Sequence, residues 1–101
     1  MNWIAAGKIT EISPEKPLLA EIEGKKIAIF KSGRDFYAVD AVCPHRGGPL
    51  NEGYLDGSEV TCPWHAWTFD VKSGACTSAP GVQIKTYQVK VENNFILIQI
   101  G

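Results

Sequence analysis

The segments Cys43-Pro44-His45 and Cys62-Pro63-Trp64-His65 each combine one thiol with one imidazole. Residues 46–61 separate the two segments, which is enough chain for a short hairpin that folds one segment against the other. The chain has two histidines and three cysteines, so this pattern contains both histidines and all but one cysteine. Chemistry that requires a further histidine is therefore unavailable to this polypeptide.

Thiolates and neutral imidazoles together suit zinc, iron or an iron–sulfur cluster. A structural zinc site usually pairs Cys with Cys and His with His at short spacing, whereas each segment here mixes the two types. The mixed pairs favour a two-iron, two-sulfide cluster in which two histidines replace two cysteines on one iron. A structural zinc site is the main alternative. Ordinary buried cysteines and hydrogen-bonded histidines are the remaining interpretation.

At these residues the chain resembles the Rieske-type [2Fe-2S] proteins, whose signature is a C-x-H box and a C-x2-H box. Residues 43–50 match the first box and residues 62–70 match the second. The resemblance continues through Ser73-Gly74 to Ala79-Pro80-Gly81, where the family has a proline-containing loop that covers the cluster. It extends over nearly the whole chain.

The resemblance implies one [2Fe-2S] cluster, with Cys43 and Cys62 on one iron and His45 and His65 on the other. Neutral imidazoles leave the oxidised centre less negative than four thiolates do, so an electron is added at lower cost. Clusters with this ligand set have potentials of about −150 to +300 mV, against about −400 mV for plant-type clusters.

The chain departs from the respiratory branch of that family at four positions. Gly48 and Trp64 stand where that branch has two cysteines that form a disulfide. Trp67 and Phe69 stand where it has a serine and a tyrosine that donate hydrogen bonds to cluster sulfurs. Fewer donors stabilise the reduced state less, so we expect a potential toward the lower end of the range. The departures are typical of the soluble, low-potential ferredoxin branch.

Length and composition predict one small globular domain over residues 1–101, with a cluster-binding subdomain at about residues 41–81. The chain has 101 residues, is 45% hydrophobic and carries a net charge of −1, which favours neither nucleic acid nor membrane as a partner. The N-terminus lacks the features of a secretory signal. Cys76 has no remaining cysteine to pair with, so we expect a buried bystander thiol and a cytoplasmic protein.

Short apolar segments with close turns predict an all-β chain. Hairpins are expected from residues 18–30 around Gly24 and from residues 86–100 around residues 92–94, and Gly33 marks a turn before the strand at 36–39. Alternation predicts that Tyr87, Val89 and Val91 share one face. The resemblance narrows the fold to a Rieske-type antiparallel β-sandwich with an inserted cluster-binding subdomain.

By the same resemblance, the chain is expected to be a soluble one-electron carrier that passes electrons from a flavin-dependent reductase to a terminal oxygenase. It is not the oxygenase, because such enzymes hold a mononuclear iron with two further histidines. The alternatives are the small subunit of an assimilatory nitrite reductase and a structural zinc-binding module. We expect a monomer that docks transiently at a tip formed by His45 and His65 and flanked by Gly47, Gly48 and Pro80.

Overall fold

The computed structural model describes residues 2–43, 47–64, 66–79 and 81–100. These residues form ten β-strands and two short 3₁₀ helices, which confirms the predicted all-β class. The strands are β1 Asn2–Lys8, β2 Leu18–Ile22, β3 Lys25–Ser32, β4 Asp35–Asp40, β5 Tyr54–Asp56, β6 Glu59–Thr61, β7 Thr68–Asp70, β8 Thr86–Tyr87, β9 Val89–Glu92 and β10 Phe95–Ile100. The 3₁₀ helices are Ile9–Glu11 and Leu50–Glu52.

The strands form three antiparallel sheets. One sheet has the order β1-β10-β9, the central sheet has the order β2-β3-β4-β8, and a small sheet has the order β5-β6-β7. The first two sheets build the sandwich. The small sheet belongs to residues 41–85, which are inserted between β4 and β8, as the resemblance implied.

The central sheet is covered on both faces, and β3 shows this in its sequence. Residues 27–30 of β3 are all fully buried. Ile27 and Ile29 pack into one hydrophobic core, whereas Ala28 and Phe30 pack into a second one. Successive side chains of a strand point to opposite faces, so a continuous apolar run indicates a strand that is buried on both sides.

The predicted hairpins are present. Strands β2 and β3 pair in antiparallel register around Glu23 and Gly24, which both have positive φ. Strands β9 and β10 pair around Asn93 and Asn94, which also both have positive φ. Two consecutive residues with positive φ favour a tight turn whose twist matches that of the flanking strands, and Gly and Asn tolerate this conformation.

The prediction of one continuous strand at residues 86–91 is wrong. The chain changes sheets at Gln88, because β8 pairs with β4 of the central sheet while β9 pairs with β10. Tyr87 is buried, whereas Val91 is 44% exposed, so they do not share a buried face. The Gln88 carbonyl accepts a hydrogen bond from the Gln99 backbone N–H at the crossing point.

The inserted residues are attached to the central sheet by hydrogen bonds at several points. The Ser32 hydroxyl, at the end of β3, donates to the Gly57 carbonyl at 2.9 Å. The Leu50 N–H donates to the Ala41 carbonyl at 2.7 Å. No helix among the described residues is long and apolar enough to cross a membrane.

Candidate metal centre

Cys43 lies just beyond the end of β4, in a loop that its own backbone closes. Its N–H donates to the Gly48 carbonyl at 2.9 Å, and its carbonyl accepts from the Gly47 N–H at 2.7 Å. Gly47 has a φ of 73°, a conformation that favours glycine. These bonds fix the two ends of the loop and hold a Cys43 side chain that is only 1% exposed.

Cys62 follows β6 in a second closed loop. Its N–H donates to the Trp67 carbonyl at 2.7 Å, which closes the loop just before β7 begins. Ala66 has a φ of 58°, which is unusual for a residue with a side chain. The Cys62 side chain is also 1% exposed.

The structure brings the two cysteine side chains together. Cys43 and Cys62 are buried in the same core, although they come from two different loops. Burial raises the pKa of the Cys62 thiol, a backbone hydrogen bond from Trp64 acts against this increase, and neighbouring Cys43 adds to it. Two thiolates so close together repel each other, and a cationic metal core allows both to ionise. The donor set therefore fits a metal centre.

Gly48 lies directly against this thiol pair. A Cβ at residue 48 would lie 2.7 Å from the Cys62 Sγ and 3.1 Å from the Trp64 Cβ. No Cβ fits at such a distance without movement of the sulfur, so this position requires glycine. Gly48 is buried while Gly47 is exposed, so Gly48 is part of the interior of the site.

A third loop, residues 75–81, borders the same core. Cys76 is 7% exposed and packs in the core that contains Cys43 and Cys62, while Ala79 and Val82 pack against that core. The loop is closed by the Cys76 N–H, which donates to the Val82 carbonyl at 2.9 Å. A loop in this place excludes water from one side of the thiol pair.

Hydroxyl groups hold the third loop to the small sheet. The Thr77 hydroxyl donates its single hydrogen to the Glu59 carboxylate at 2.8 Å. In the bond between Thr77 and Thr68, the Thr68 hydroxyl is therefore the donor. The Thr68 N–H donates to the Ser78 hydroxyl at 3.1 Å, and Ser78 lies 3.4 Å from the Cys76 thiol. These bonds join β6, β7 and the third loop into one unit.

The Rieske [2Fe-2S] domain family model matches residues 2–88 of this sequence. The chain belongs to this family. As a Rieske domain it is expected to contain a [2Fe-2S] cluster, and the fold agrees with that of ferredoxins in the family.

The ferredoxin component of the naphthalene 1,2-dioxygenase system of Pseudomonas putida is 38% identical to this Rieske domain over 102 positions, which span 100% of this chain and 98% of the relative. The structure of Sphingomonas yanoikuyae B1 ferredoxin superposes with a TM-score of 0.91 at 26% identity, covering 99% of this chain and 100% of that chain. Both relatives are ferredoxins, and the first is by name a component of a dioxygenase system. They confirm the prediction of an electron-transfer protein that is not itself the catalytic enzyme.

The third match is to a chain from a complex of two proteins. A structure of the complex of reduced oxygenase and oxidised ferredoxin in carbazole 1,9a-dioxygenase contains a chain that matches this one with a TM-score of 0.86 at 28% identity. The match covers 95% of this chain and 91% of that chain. A ferredoxin of this fold therefore binds an oxygenase in that system.

Three of the residues singled out in the sequence, His45, His65 and Pro80, lie outside the described residues of this Rieske domain. Of the predicted ligands, the structure describes Cys43 and Cys62, and it buries both in the same core. Apart from those three positions and the other undescribed residues, no group of three or more Cys, His, Asp or Glu side chains lies close enough to bind a metal.

The hydroxyl network of Glu59, Thr68, Thr77 and Ser78 was missed by the sequence analysis. Its only signal is the run of small hydroxyl residues, Thr77-Ser78, just before Ala79 and Pro80. Such a run is also typical of an ordinary exposed loop. Strand pairing determines the partners of these hydroxyls, because it brings Thr68 beside Thr77, which lies nine positions later in the sequence.

Proposed function

We propose that this chain carries one electron at a time from a flavin-dependent reductase to a terminal oxygenase, on a [2Fe-2S] cluster bound by Cys43, His45, Cys62 and His65. The observation that carries the proposal is the burial of two thiols in one core from two separate closed loops. These are the thiols of the two boxes. The 38% identity to a dioxygenase ferredoxin component supports the choice of partners.

The described residues would hold the cluster and shield it. Cys43 and Cys62 supply the two thiolates, and glycine at residue 48 leaves room for the Cys62 sulfur. Phe69, Leu50 and Val60 are fully buried in the core around the thiols and exclude water there. When bound, the cluster accepts one electron and releases it again without a change of ligands.

The third loop completes the enclosure in this proposal. It closes one side of the thiol pair, and the bonds of Thr77 to Glu59 and Thr68 keep it in place. Electrons then enter and leave at the tip formed by His45 and His65, with Gly47 and Pro80 beside it. A carrier that serves two partners in turn needs a small interface, and interfaces of transient redox complexes bury less than about 1,200 Å².

We extend the proposal to the organisation of the protein. Residues 1–101 form one Rieske domain with the cluster-binding subdomain at about residues 41–81, and the chain acts as a monomer. All three cysteines are free thiols in the structure, which fits the reducing conditions of the cytoplasm.

Metal and sulfide analysis of anaerobically purified protein tests the cofactor. We expect iron and acid-labile sulfide in the ratio of a [2Fe-2S] cluster, with equal amounts of each. A single zinc ion without sulfide would show a structural zinc module instead. Reduction by a ferredoxin reductase, followed by reoxidation by a terminal oxygenase in a stopped-flow instrument, tests the carrier function.

A further inference from the structure

The exposed apolar side chains of this chain are unevenly distributed. Among the described residues, the exposed large hydrophobic side chains are Leu19, Val42, Tyr54, Trp64, Val91 and Phe95. Val42 precedes Cys43, and Trp64 lies in the second ligand loop. Tyr54 pairs with Thr61, the residue before Cys62. Of the six, three are therefore on or next to the elements that hold the ligand loops.

Two adjacent surface depressions connect these side chains. The first has a volume of about 180 Å³ and is lined by Leu19, Val42, Gly47 and Pro49, among others. The second has a volume of about 290 Å³ and is lined by Pro14, Pro17, Tyr54 and Leu55, among others. The two linings include residues that are close in the chain, with Glu52 in the first and Gly53 in the second, and Leu19 in the first and Pro17 in the second. We call the surface around the two depressions the apolar flank, and define it by Leu19, Val42, Pro49 and Tyr54.

The surface of the third loop, which lines neither depression, has a different chemistry. There the third loop exposes Thr77 and Ser78, and Lys72 and Ser73 are exposed nearby. The hydroxyls of Thr77 and Ser78 are already engaged with Glu59, Thr68 and Cys76. A partner that binds by burying apolar surface gains little on this side. The favourable side is the apolar flank.

We propose that a terminal oxygenase binds this ferredoxin off centre, with an apolar surface of its own packed on the apolar flank as well as on the tip. This inference rests on the proposed function. The flank is continuous with the first ligand loop through Val42 and Gly47, so a protein bound there also covers the loop that contains Cys43. The known complex of an oxygenase with a ferredoxin of this fold supports this class of occupant.

The charges around the flank indicate how the partner is recognised. Lys26 lines the first depression together with Glu52, and Glu15 lines the second. Charges of both signs create no strong field of one sign, so steering contributes little to association. The complex is expected to depend on buried apolar area, and its rate of formation is expected to change little with salt concentration.

Matched pairs of substitutions test the flank. Val42→Ser is compared with Val91→Ser, since these valines are 48% and 44% exposed. Tyr54→Ser is compared with Phe95→Ser, which removes an exposed aromatic from β10. Tyr54 is not in a ligand loop, so this variant remains informative if Val42→Ser disturbs the cluster. Iron content, visible spectrum and potential are measured for every variant.

The acceptor is taken from a panel of terminal oxygenases of the naphthalene, 2,4-dinitrotoluene, anthranilate and 3-phenylpropionate dioxygenase systems. The oxygenase that the wild-type ferredoxin reduces fastest is used. We expect each flank variant to lower the second-order rate of electron transfer about fivefold, with the potential unchanged. Val91→Ser and Phe95→Ser are expected to stay within about twofold of wild type.

The outcomes distinguish a failure of the off-centre docking from a failure of the proposed carrier function. Flank variants that react as fast as their controls would overturn the off-centre docking and leave the carrier function intact. A wild-type protein that reduces no oxygenase of the panel would overturn the proposed function and this inference with it. Sedimentation of the wild type and Tyr54→Ser tests whether a second copy of this chain, and not an oxygenase, binds the apolar flank. A dimer that Tyr54→Ser dissociates would assign the flank to self-association and refute our proposal.

Discussion

The two faces of the central sheet are buried to a similar degree, yet they are built from different residues. One face packs Ile27 and Ile29 against Ile96 and Ile98 of the neighbouring sheet. The other face packs Ala28 and Phe30 into a core that includes all three cysteines, Cys43, Cys62 and Cys76. Along β3 and β4, alternate residues contribute to the two cores.

This difference separates stability from cluster binding. The isoleucine face contributes branched aliphatic side chains, whose burial stabilises the sandwich whether or not a cluster is present. The thiol face includes short strands of three residues and closed loops, and Cys43 and Cys62 would bind a metal centre as thiolates. Changes on the first face should alter the free energy of unfolding. Changes on the second should alter the cluster.

The largest effect is expected from the ligands themselves. Cys43→Ala or Cys62→Ala removes one of two adjacent thiols, so the variants should lose the cluster and its visible absorption. Cys76→Ser lies in the same core and serves as the control, which should retain iron and sulfide. A colourless Cys76→Ser protein would show that the thiols were assigned wrongly.

On the isoleucine face, Ile98→Ala should act on stability alone. Ile98 is fully buried, and loss of such a side chain lowers the free energy of unfolding by about 2–5 kcal/mol. Ile98→Val should cost only about 0.5–1.5 kcal/mol. Denaturant titration measures both values. If the folded Ile98→Ala protein had an altered cluster spectrum or potential, the two faces would not be separable.

Gly48→Ala tests whether an added Cβ at residue 48 disturbs the closely packed thiol face. The added Cβ would meet the Cys62 Sγ at 2.7 Å, and overpacking of this kind costs about 1–3 kcal/mol. We expect a lower cluster content and a changed electron paramagnetic resonance spectrum in the reduced protein. Gly47→Ala is strained by its φ of 73° but meets no atom closer than 3.9 Å, so it should lose stability without this spectral change. Identical spectra for both variants would contradict the steric explanation.

Tyr87 provides a pH test on the isoleucine face. Burial raises the pKa of the Tyr87 phenol well above its usual value, and the hydrogen bond to the Asp40 carboxylate raises it further. An unfolded tyrosine ionises near pH 10, so the folded state then retains a proton that the unfolded state has lost. The stability supplied by Tyr87 is therefore complete below about pH 10 and decreases as the pH rises above it.

Tyr87→Phe should lose about 1 kcal/mol at neutral pH, because the bond to Asp40 is absent, and should show a smaller further loss above about pH 10. The Lys85 Nζ lies 5.1 Å from the centre of the Tyr87 ring, and its charge is present in both proteins, so wild type and Tyr87→Phe are compared at every pH. Parallel stability curves for the wild type and Tyr87→Phe would refute this assignment.

The smallest effect concerns the potential. Phe69 is fully buried in the thiol core, and Phe69→Tyr adds a hydroxyl there. One hydrogen bond that favours the reduced state by about 1 kcal/mol raises a one-electron potential by about 40 mV. Protein-film voltammetry measures the shift, with the wild type expected toward the lower end of the range. An unchanged potential would show that the hydroxyl does not reach a cluster sulfur.

The sequence by itself determined the class of fold and predicted the chemistry of the site. The Cys-x-His and Cys-x2-His spacing predicted the two ligand loops, because residue type and spacing can be read from the sequence without knowledge of the fold. The hairpins around Gly24 and Asn93-Asn94 were predictable for the same reason, since tight turns depend on a few consecutive residues.

The tertiary structure decided how distant segments meet. The change of sheet at Gln88 depends on which strand each half of residues 86–92 pairs with, and alternation within one segment does not encode that choice. The requirement for glycine at residue 48 arises from the Cys62 sulfur of another loop. The apolar flank unites side chains from β2, β5 and the first ligand loop. Such features result from contacts between residues far apart in the chain, and only the folded molecule brings those residues together.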